Sequence, residues 1–402
     1  MNYILFILKS AIEDFSRNKG RTFLTSMGIL IGVFAVVLLI AFGLGLKKYI
    51  NDQFESLGTN LIRVIPGKIL QGGSFRSGPS ALGAIRFDEK DISRLQRLKS
   101  ALYVVPVVSK SISVSIGKGS ELGDLYASSA DIFASLNLKS QYGDIFTRKE
   151  VEKRSKIVVI GPKIAEKLFG SADLALDKNV KIEGKTFKVM GVLEAKGGGG
   201  FGGPDLDSFV YMPYTTAQVF NPDKKFIAII VKAKSDISVD QVKKEISDSL
   251  LKRYKKDDFS VIDQAELLSA IGSIFGIMNA VLIAIAAVSL IVGGIGIMNI
   301  MYVTVTERIK EIGIRRAIGA RKTDILYQFL AESIALSILG GVMGLLLAYG
   351  VVLLIQKLFP AYIDTGSVAL ALGVSSLIGV LFGVFPAKKA ADLSPIDAIR
   401  YE

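Results

Sequence analysis

Two residue types that carry much of protein chemistry are missing from this 402-residue chain: it contains no cysteine and no histidine. The absence of cysteine excludes a disulfide framework, a cysteine-based zinc site and a thiol nucleophile. The absence of histidine removes the commonest general base, the Ser-His-Asp triad and most transition-metal sites. Most familiar classes of enzyme are therefore disfavoured.

The composition indicates a protein that lies partly in a membrane and partly in water. Hydrophobic residues make up 50% of the chain and the mean hydropathy is +0.45, which is too apolar for an ordinary soluble protein. Charged residues make up 21%, too many for a chain wholly within a bilayer. The net charge of +12 agrees better with the excess of Lys and Arg in cytoplasmic loops than with nucleic-acid binding. We therefore expect contact with membrane lipid and none with nucleic acid.

Long apolar stretches predict four transmembrane helices. A spanning helix needs about 20 apolar residues, and suitable stretches occur at 22–46, 271–304, 324–356 and 365–387. The first is too long for the apolar part of a signal peptide, so we expect an uncleaved span. Residues 1–21 carry apolar side chains at helical spacing and predict an amphipathic helix on the cytoplasmic face of the membrane.

Basic residues near the ends of the spans predict the orientation. Lys and Arg cluster before the first span, in the loop 305–323 between the second and third spans, and in the tail 388–402. With four spans these segments share one side of the membrane, which the positive-inside rule identifies as the cytoplasm. Both termini are then cytoplasmic in a multi-pass protein of the plasma or inner membrane, and residues 47–270 lie outside.

The outer segment predicts an α+β domain with two lobes. A strand, helix, strand pattern covers 61–108 and returns at 226–262. The two units could pair into one ferredoxin-like layer, a porter lobe of residues 50–108 and 222–265. Residues 109–221 contain mostly short strand patterns and predict an inserted strand-rich lobe. The predicted fold class is an α-helical membrane protein with four transmembrane helices and an α+β extracytoplasmic domain.

Two glycine-rich segments, Gly67–Gly83 and Gly197–Pro204, lack the spacing of a phosphate-binding loop. Flexible surface loops explain them best, and contact with a substrate or partner is the alternative. Asp205 and Asp207 lack the spacing of a calcium loop, so a solvated surface is expected there. We predict no catalytic residue, metal or cofactor site in this chain.

The loop between the second and third spans is the most unusual segment. Six Lys and Arg residues lie within the sixteen residues Glu307–Lys322. Glu311 precedes Arg315 by about one helical turn, and isoleucines supply an apolar side, so a short amphipathic helix is predicted. This helix could dock a cytosolic partner, or its charges could only set the topology and contact lipid headgroups.

The predicted spans contain few ionisable residues and many small ones. Glu332, near the start of the third span, is expected at the membrane interface, and no charge pair lies within the apolar cores, which argues against an ion-coupled transporter. Glycines at close-packing spacing could serve contacts within the chain or between two copies. The candidates are Gly28, Gly32, Gly293, Gly340 and Gly344.

Four segments together carry a family resemblance. They are RTFLTSMGILIGV at 21–33, LGTNLIRVIPG at 57–67, NIMYVTVTERIKEIGIRRAIGARKTDILYQFLAES at 299–333 and GVLFGVFPAKKAADLSPIDAIRYE at 379–402. With these segments the chain resembles the permeases of the MacB/FtsX superfamily of ABC transporters, with Met27 where the family usually has Leu. The matches run from one end of the chain to the other.

The resemblance implies partners and coupling residues. In this family the loop between the second and third spans sits on the ATPase, and the corresponding residues here are Glu307, Arg308, Glu311, Ile314, Arg315 and Arg316. The implied partners are a cytosolic ABC ATPase that binds ATP and Mg²⁺, a second permease copy in a homodimer or heterodimer, and a periplasmic adaptor protein. MacB carries its ATPase at its N-terminus, whereas this chain starts at the amphipathic helix, so we expect the ATPase in another polypeptide and no enzymatic activity here.

The resemblance leaves several functions open. A MacB-type transporter would export or extrude macrolide-like, peptide or lipidic substrates by mechanotransmission, in which ATP hydrolysis moves the outer domains. An FtsX-like permease would regulate cell-wall hydrolases, but its outer domain is generally smaller. A lipoprotein-releasing system is a third function, which the match at 57–67 disfavours. An integral membrane enzyme is disfavoured by the missing Cys and His.

Overall fold

The computed structural model describes residues 19–56, 58, 60–68, 70–71, 74–75, 87–117, 119–197, 205–356 and 359–399. These residues form two compact units. The membrane unit combines the chain up to Tyr49 with Phe275–Glu402, and the strand-rich unit is Ile50–Ile274. Residues 1–18 of the predicted amphipathic helix, most of Gly67–Gly83, and residues 198–204 lie outside the described residues.

The membrane unit is helical, and the strand-rich unit contains short helices between its strands. Within the described residues they are, in chain order, α1 Lys19–Ser56, α2 Glu89–Leu95, α3 Asp131–Ser135, α4 Arg148–Glu152, α5 Pro162–Phe169, α6 Val239–Leu250, α7 Gln264–Glu307, α8 Ile309–Ala317, α9 Lys322–Ile355, α10 Thr365–Ala391 and α11 Pro395–Ile399. Helices α1, α7, α9 and α10 are long and apolar enough to cross a membrane, as predicted. Helices α1 and α7 extend beyond the predicted spans because the flanking polar residues include no proline that would stop them.

The core of the membrane unit is built around α1. Ile29, Val33 and Val37 of this helix are almost fully buried among the other spanning helices. Helix α7, by contrast, leaves large apolar side chains such as Ile277 and Val288 exposed. Such side chains are suited to lipid or to another protein, because neither requires a polar surface.

Twelve strands lie within the described residues. They are β1 Leu61–Pro66, β2 Leu70–Gln71, β3 Ser74–Phe75, β4 Ala101–Ile116, β5 Gly119–Ser128, β6 Ser140–Gly143, β7 Ile157–Ile160, β8 Asn179–Ile182, β9 Lys185–Leu193, β10 Phe209–Pro213, β11 Ala228–Ala233 and β12 Phe259–Asp263. Ten of them form one sheet in the order β12-β1-β11-β4-β5-β10-β7-β9-β6, with β8 paired to β4 and β9. Strands β2 and β3 form a separate pair.

Four strands of the large sheet form the predicted ferredoxin-like layer. Strands β12, β1, β11 and β4 are neighbours in that order and all pairs are antiparallel. In the chain, α2 lies between β1 and β4, and α6 lies between β11 and β12. This is the arrangement of two βαβ units joined in one layer. The predicted α+β fold class is therefore confirmed.

The long strand β4 belongs to both predicted lobes. Its first half pairs with β11, and its second half pairs with β5 from Val108 to Ile116. The predicted end of this strand at residue 108 is wrong, because the chain from Val107 to Ile116 contains no glycine or proline that would stop it. In the inserted region β10, β7, β9 and β6 extend the sheet beyond β5, and β8 pairs with β4 and β9.

Ion pairs and hydrogen bonds join α2 to the residues that directly follow α6 in the ferredoxin-like layer. Asp88 caps α2 by accepting hydrogen bonds from the backbone of Lys90 and Asp91. Arg253, just after α6, donates to Asp88 (2.6 Å) and to the fully buried Asp91 (3.0 Å), and the Tyr254 hydroxyl donates to Asp91 (2.7 Å). The hydrogen bonds from Arg253 hold the pKa of Asp88 well below its usual range. The buried carboxylate is thus fully compensated.

Candidate functional site

A break in the backbone separates the second spanning helix from the short helix α8. Helix α7 ends at Glu307 and α8 begins at Ile309, and Arg308 between them has φ −109° and ψ 15°. The Arg308 N–H still donates to the carbonyl oxygens of Thr304 (3.1 Å) and Val305 (3.3 Å). The predicted short helix is therefore present as an element of its own, attached directly to the end of α7.

Helix α8 has one buried face and one exposed face. Ile309 and Ile312 are 8% and 2% exposed, whereas Ile314 is 53% exposed and Glu311 also faces solvent. This division follows the sequence, because residues three apart lie on the same side of a helix. The exposed face offers both charged and apolar side chains to a partner.

Arg315 links α8 to the third spanning helix. One nitrogen of its guanidinium group donates to a carboxylate oxygen of Glu311, which is the predicted pair one turn away. Another nitrogen donates to Oε1 of Gln328 in α9 (2.7 Å). An exposed ion pair contributes only a few tenths of a kcal/mol, so the bond to Gln328 is the more informative contact.

The turn between α8 and α9 is short. Gly319 adopts a left-handed conformation with φ +110°, which a side chain would strain. The Arg321 N–H donates to Oδ2 of Asp324 (2.9 Å) and so caps the start of α9. Arg316 reaches the Ala320 carbonyl oxygen (3.5 Å), and its buried Nε has no hydrogen-bond partner among the described residues.

Arg308 faces a carboxylate that the sequence alone did not assign to this site. Glu332 of α9 is only 7% exposed, and its Oε2 lies 3.7 Å from Nη1 of Arg308. A signal was available in the sequence, since Glu332 is the single acidic residue between Asp324 and Asp364. An ionisable residue within an apolar helix usually has a partner and a role.

The C-terminal segment adds to the same surface. Helix α11 packs against α8, and Lys322 at the start of α9 forms a 3.0 Å ion pair with Asp392. The hydrogen bond from Lys322 holds the pKa of Asp392 below its usual value. Ile318 and Ile396 are 82% and 70% exposed. Exposed isoleucines among charged residues are typical of a protein-binding surface.

Three of the five predicted packing glycines lie where α1 meets α7. A Cβ atom built on Gly28 would lie 2.6 Å from Cα of Gly293, and one built on Gly293 would lie 2.7 Å from the backbone carbon of Gly28. A Cβ atom on Gly32 would lie 2.7 Å from the side chain of Leu290. These distances are far below van der Waals contact, so the two helices approach closely only because the residues are glycine.

The other two predicted glycines lie where α1 meets α9. A Cβ atom on Gly340 would lie 2.8 Å from the carbonyl oxygen of Ser26. A Cβ atom on Gly344 would lie 2.6 Å from the carbonyl oxygen of Leu30. All five glycines therefore make contacts within the chain, which accounts for their spacing.

Comparison with known families matches two parts of the chain. Residues 22–249 match the family model described as MacB-like periplasmic core domain, and residues 283–395 match the model described as FtsX-like permease C-terminal. The first match covers more than half of the chain. The second contains the whole of α8 and α9.

Relatives of known name match almost the full chain. The macrolide export ATP-binding/permease protein MacB of Bdellovibrio bacteriovorus is 35% identical over 405 residues, which cover 98% of this chain and 61% of that protein. The protein of the same name from Chlorobaculum tepidum is 37% identical over 422 residues, covering 99% and 62%. The chain thus spans about three fifths of the length of these relatives. The crystal structure of the periplasmic region of MacB from Actinobacillus actinomycetemcomitans is 22% identical, with a TM-score of 0.47, and covers 56% of this chain and 97% of that chain.

Proposed function

Because this chain belongs to the family of MacB-like permeases with an FtsX-like C-terminal region, we propose that it is the permease part of a MacB-type ABC transporter. The ATPase that drives it, with its ATP and Mg²⁺, lies outside these 402 residues and docks on α8. The observation that carries this proposal is the exposed face of α8, where Glu311 and Ile314 face solvent directly after a spanning helix. A partner bound there pushes on a helix that is firmly packed on its other side.

The sidedness of the proposal follows from the basic residues. Helix α8 carries Lys310, Arg315 and Arg316, and the last turn of α10 carries Lys388 and Lys389. Membrane proteins retain such clusters of Lys and Arg on the cytoplasmic side. Both termini and α8 are then cytoplasmic, and the strand-rich unit is extracytoplasmic. A cytosolic ATPase therefore has access to α8.

Helix α7 supplies the mechanical connection. It begins directly after β12 and continues for 44 residues to the break before α8, a length of about 66 Å at about 1.5 Å per residue. The apolar part of a bilayer is only about 30 Å thick. One helix therefore extends from the ATPase-docking end, across the membrane, to the last strand of the ferredoxin-like layer.

The interior of the helix bundle supports movement at the outer domain rather than passage of substrate through the bundle. Glu332 is the only buried charged side chain among the described residues of the membrane unit. A polar substrate path would need several such groups or a water-filled cavity. We infer mechanotransmission, in which ATP hydrolysis moves the strand-rich unit.

The substrate class and further partners are part of the same proposal. The relatives described above are named macrolide export proteins, which supports a macrolide-like substrate here, and peptide or lipidic substrates are the alternatives within the proposal. A second permease copy, as a homodimer or heterodimer, would cover part of the exposed apolar surface of α7. A periplasmic adaptor would receive the substrate from the strand-rich unit.

The test combines association with activity. The tagged chain is co-purified with its ATPase, and ATP hydrolysis is compared between the wild type and the double variant Glu311→Lys, Arg315→Glu. We expect this variant to insert into the membrane but to lose most of the permease-dependent ATP hydrolysis, because the charge of Glu311 on the docking face is reversed and Arg315 no longer donates to Gln328.

The matched control reverses an exposed ion pair elsewhere. Lys167 and Glu121 pair at 3.2 Å in the strand-rich unit, and the variant Lys167→Glu, Glu121→Lys should hydrolyse ATP like the wild type. Normal hydrolysis in the α8 variant, or failure of the wild type to bind any ABC ATPase, would contradict the proposal.

A further inference from the structure

Two polar contacts attach α8 to a single face of α9. Arg308, just before the first residue of α8, lies 3.7 Å from Glu332, and Arg315, near its last residue, donates to Gln328 at 2.7 Å. Gln328 and Glu332 are four residues apart on α9 and therefore share one side of that helix. The two contacts thus hold both ends of α8 against the same side of α9.

Of these two contacts, the one between Arg308 and Glu332 restricts the position of α8 more strongly. Its side chain is only 9% exposed among the surrounding helices, and the Arg308 side chain is 23% exposed. A buried carboxylate that loses its cationic partner is strongly destabilised, because no water replaces the lost interaction. Separating Arg308 from Glu332 is therefore energetically costly.

The position of Arg308 gives this pair a mechanical consequence. Arg308 is the one residue with non-helical backbone angles between α7 and α8. At such a break the two helices could bend against each other without passing on a displacement. An ion pair at the break itself removes that freedom.

We propose that Glu332 and Gln328 form a clamp that positions α8, so that a push on α8 reaches the third spanning helix as well as the second. Glu332 acts here as a positioning residue, through Arg308, and does not contact the ATPase. This inference rests on the proposed docking of an ATPase on α8, but the position and mobility of α8 are testable without the ATPase.

The first experiment measures the mobility of α8 in the permease alone. Because the chain has no cysteine, Ile318→Cys places a single spin label on an 82% exposed position beside α8. In lipid nanodiscs, Glu332→Gln should shift the spectrum toward its mobile component. Gln328→Leu, which leaves the buried charge in place, should shift it in the same direction.

The control for this experiment is Asp392→Asn, which removes an exposed carboxylate paired with Lys322 on the same surface. It should leave the label as immobile as in the wild type. The double variant Arg308→Glu, Glu332→Arg re-forms the pair with opposite polarity and should restore the immobile spectrum. If neither Glu332→Gln nor Gln328→Leu mobilises the label, the clamp is refuted.

The second experiment measures coupling in the complex with the ATPase. A spin label at Ser120→Cys, an exposed position in β5, reports the distance between strand-rich units of two copies with and without ATP. Glu332→Gln should keep the ATPase bound but lose the ATP-dependent change in this distance. A wild-type change retained in Glu332→Gln overturns the clamp, whereas a wild type that never binds an ATPase contradicts only the proposed function.

Discussion

Gly293 illustrates how a single residue determines the packing of two spanning helices. Its Cα would lie only 2.6 Å from a Cβ atom on Gly28, and a Cβ atom on Gly293 would lie 2.7 Å from the backbone carbon of Gly28. The backbones of α1 and α7 are therefore in direct contact. A Cβ atom added to Gly296, three residues further along α7, would meet no described atom within 4 Å. Gly293 and Gly296 thus lie in the same helix, but only Gly293 packs against the backbone of α1.

This difference predicts opposite effects of the same substitution. Gly293→Ala should destabilise the membrane unit by about 1–3 kcal/mol, because the added methyl group forces α1 and α7 apart. Gly296→Ala should be neutral or stabilising by up to about 1 kcal/mol, because alanine favours the helix and meets no obstacle. Thermal unfolding of both variants in one detergent tests this. Equal unfolding temperatures would rule out the close contact between α1 and α7.

The predicted coupling residues differ in what surrounds them. Glu311 and Ile314 face solvent and are available to a partner, whereas Arg308 and Arg315 contact Glu332 and Gln328 of the neighbouring helix. The spacing of apolar residues indicates that a short helix exists and which of its sides is apolar. It does not indicate which residue of α9 that helix will meet, because this depends on the rotation of both helices about their axes.

At the scale of elements, the continuity of α7 is the feature on which the proposed function depends most. Its 44 residues include no proline, and the helix passes from the strand-rich unit into the membrane unit without interruption. The proposed function requires that a displacement at one end of α7 reach the other end, which depends on the backbone hydrogen bonds of the helix remaining intact.

A proline in the middle of α7 should uncouple its two ends. Ile285 is 62% exposed, so Ile285→Pro loses little packing but removes one backbone hydrogen bond and kinks the helix, at a cost of about 3 kcal/mol or more. We expect ATPase binding to persist and the ATP-dependent change in distance between labels at Ser120→Cys to disappear. Ile285→Ala, which changes the same side chain but keeps the backbone intact, should behave like the wild type. Equal responses of the two variants would exclude α7 as the connecting element.

Strand β4 shows the limit of element prediction from short patterns. Its apolar residues predict strands on both sides of Ser109, but the polar run Ser109–Ser111 suggests a gap. Strand β4 continues through this polar run because β5 pairs with β4 without interruption from Val108 to Ile116. Pairing with a partner strand thus supplies the hydrogen bonds that the local sequence does not specify.

At the scale of the whole molecule, each unit is assembled from one kind of element: long apolar helices form the membrane unit, and strands form most of the other unit. The membrane unit joins the first spanning helix to three helices that follow more than 200 residues later in the chain, and the strand-rich unit occupies the interval Ile50–Ile274. The chain therefore passes from the membrane unit to the strand-rich unit through α1 and returns to the membrane unit through α7.

The proposed topology is tested by labelling single cysteines in intact cells. Ser120→Cys in β5 should react with a membrane-impermeant maleimide from outside, and Ser394→Cys, just before α11, should react only after the membrane is permeabilised. The natural absence of cysteine makes each label unambiguous. Labelling of both positions from the same side would contradict the predicted orientation and the cytoplasmic docking of the ATPase.

The sequence by itself determined the four spans, the βαβ patterns and the family, because these depend on local properties such as the length of apolar stretches and the periodicity of side chains. Only the tertiary structure decided that Arg308 meets Glu332, that Gly28 meets Gly293, and that β4 is one strand. These contacts join residues that are separated along the chain. They depend on how helices rotate and strands align against one another, and no one-dimensional pattern specifies that alignment.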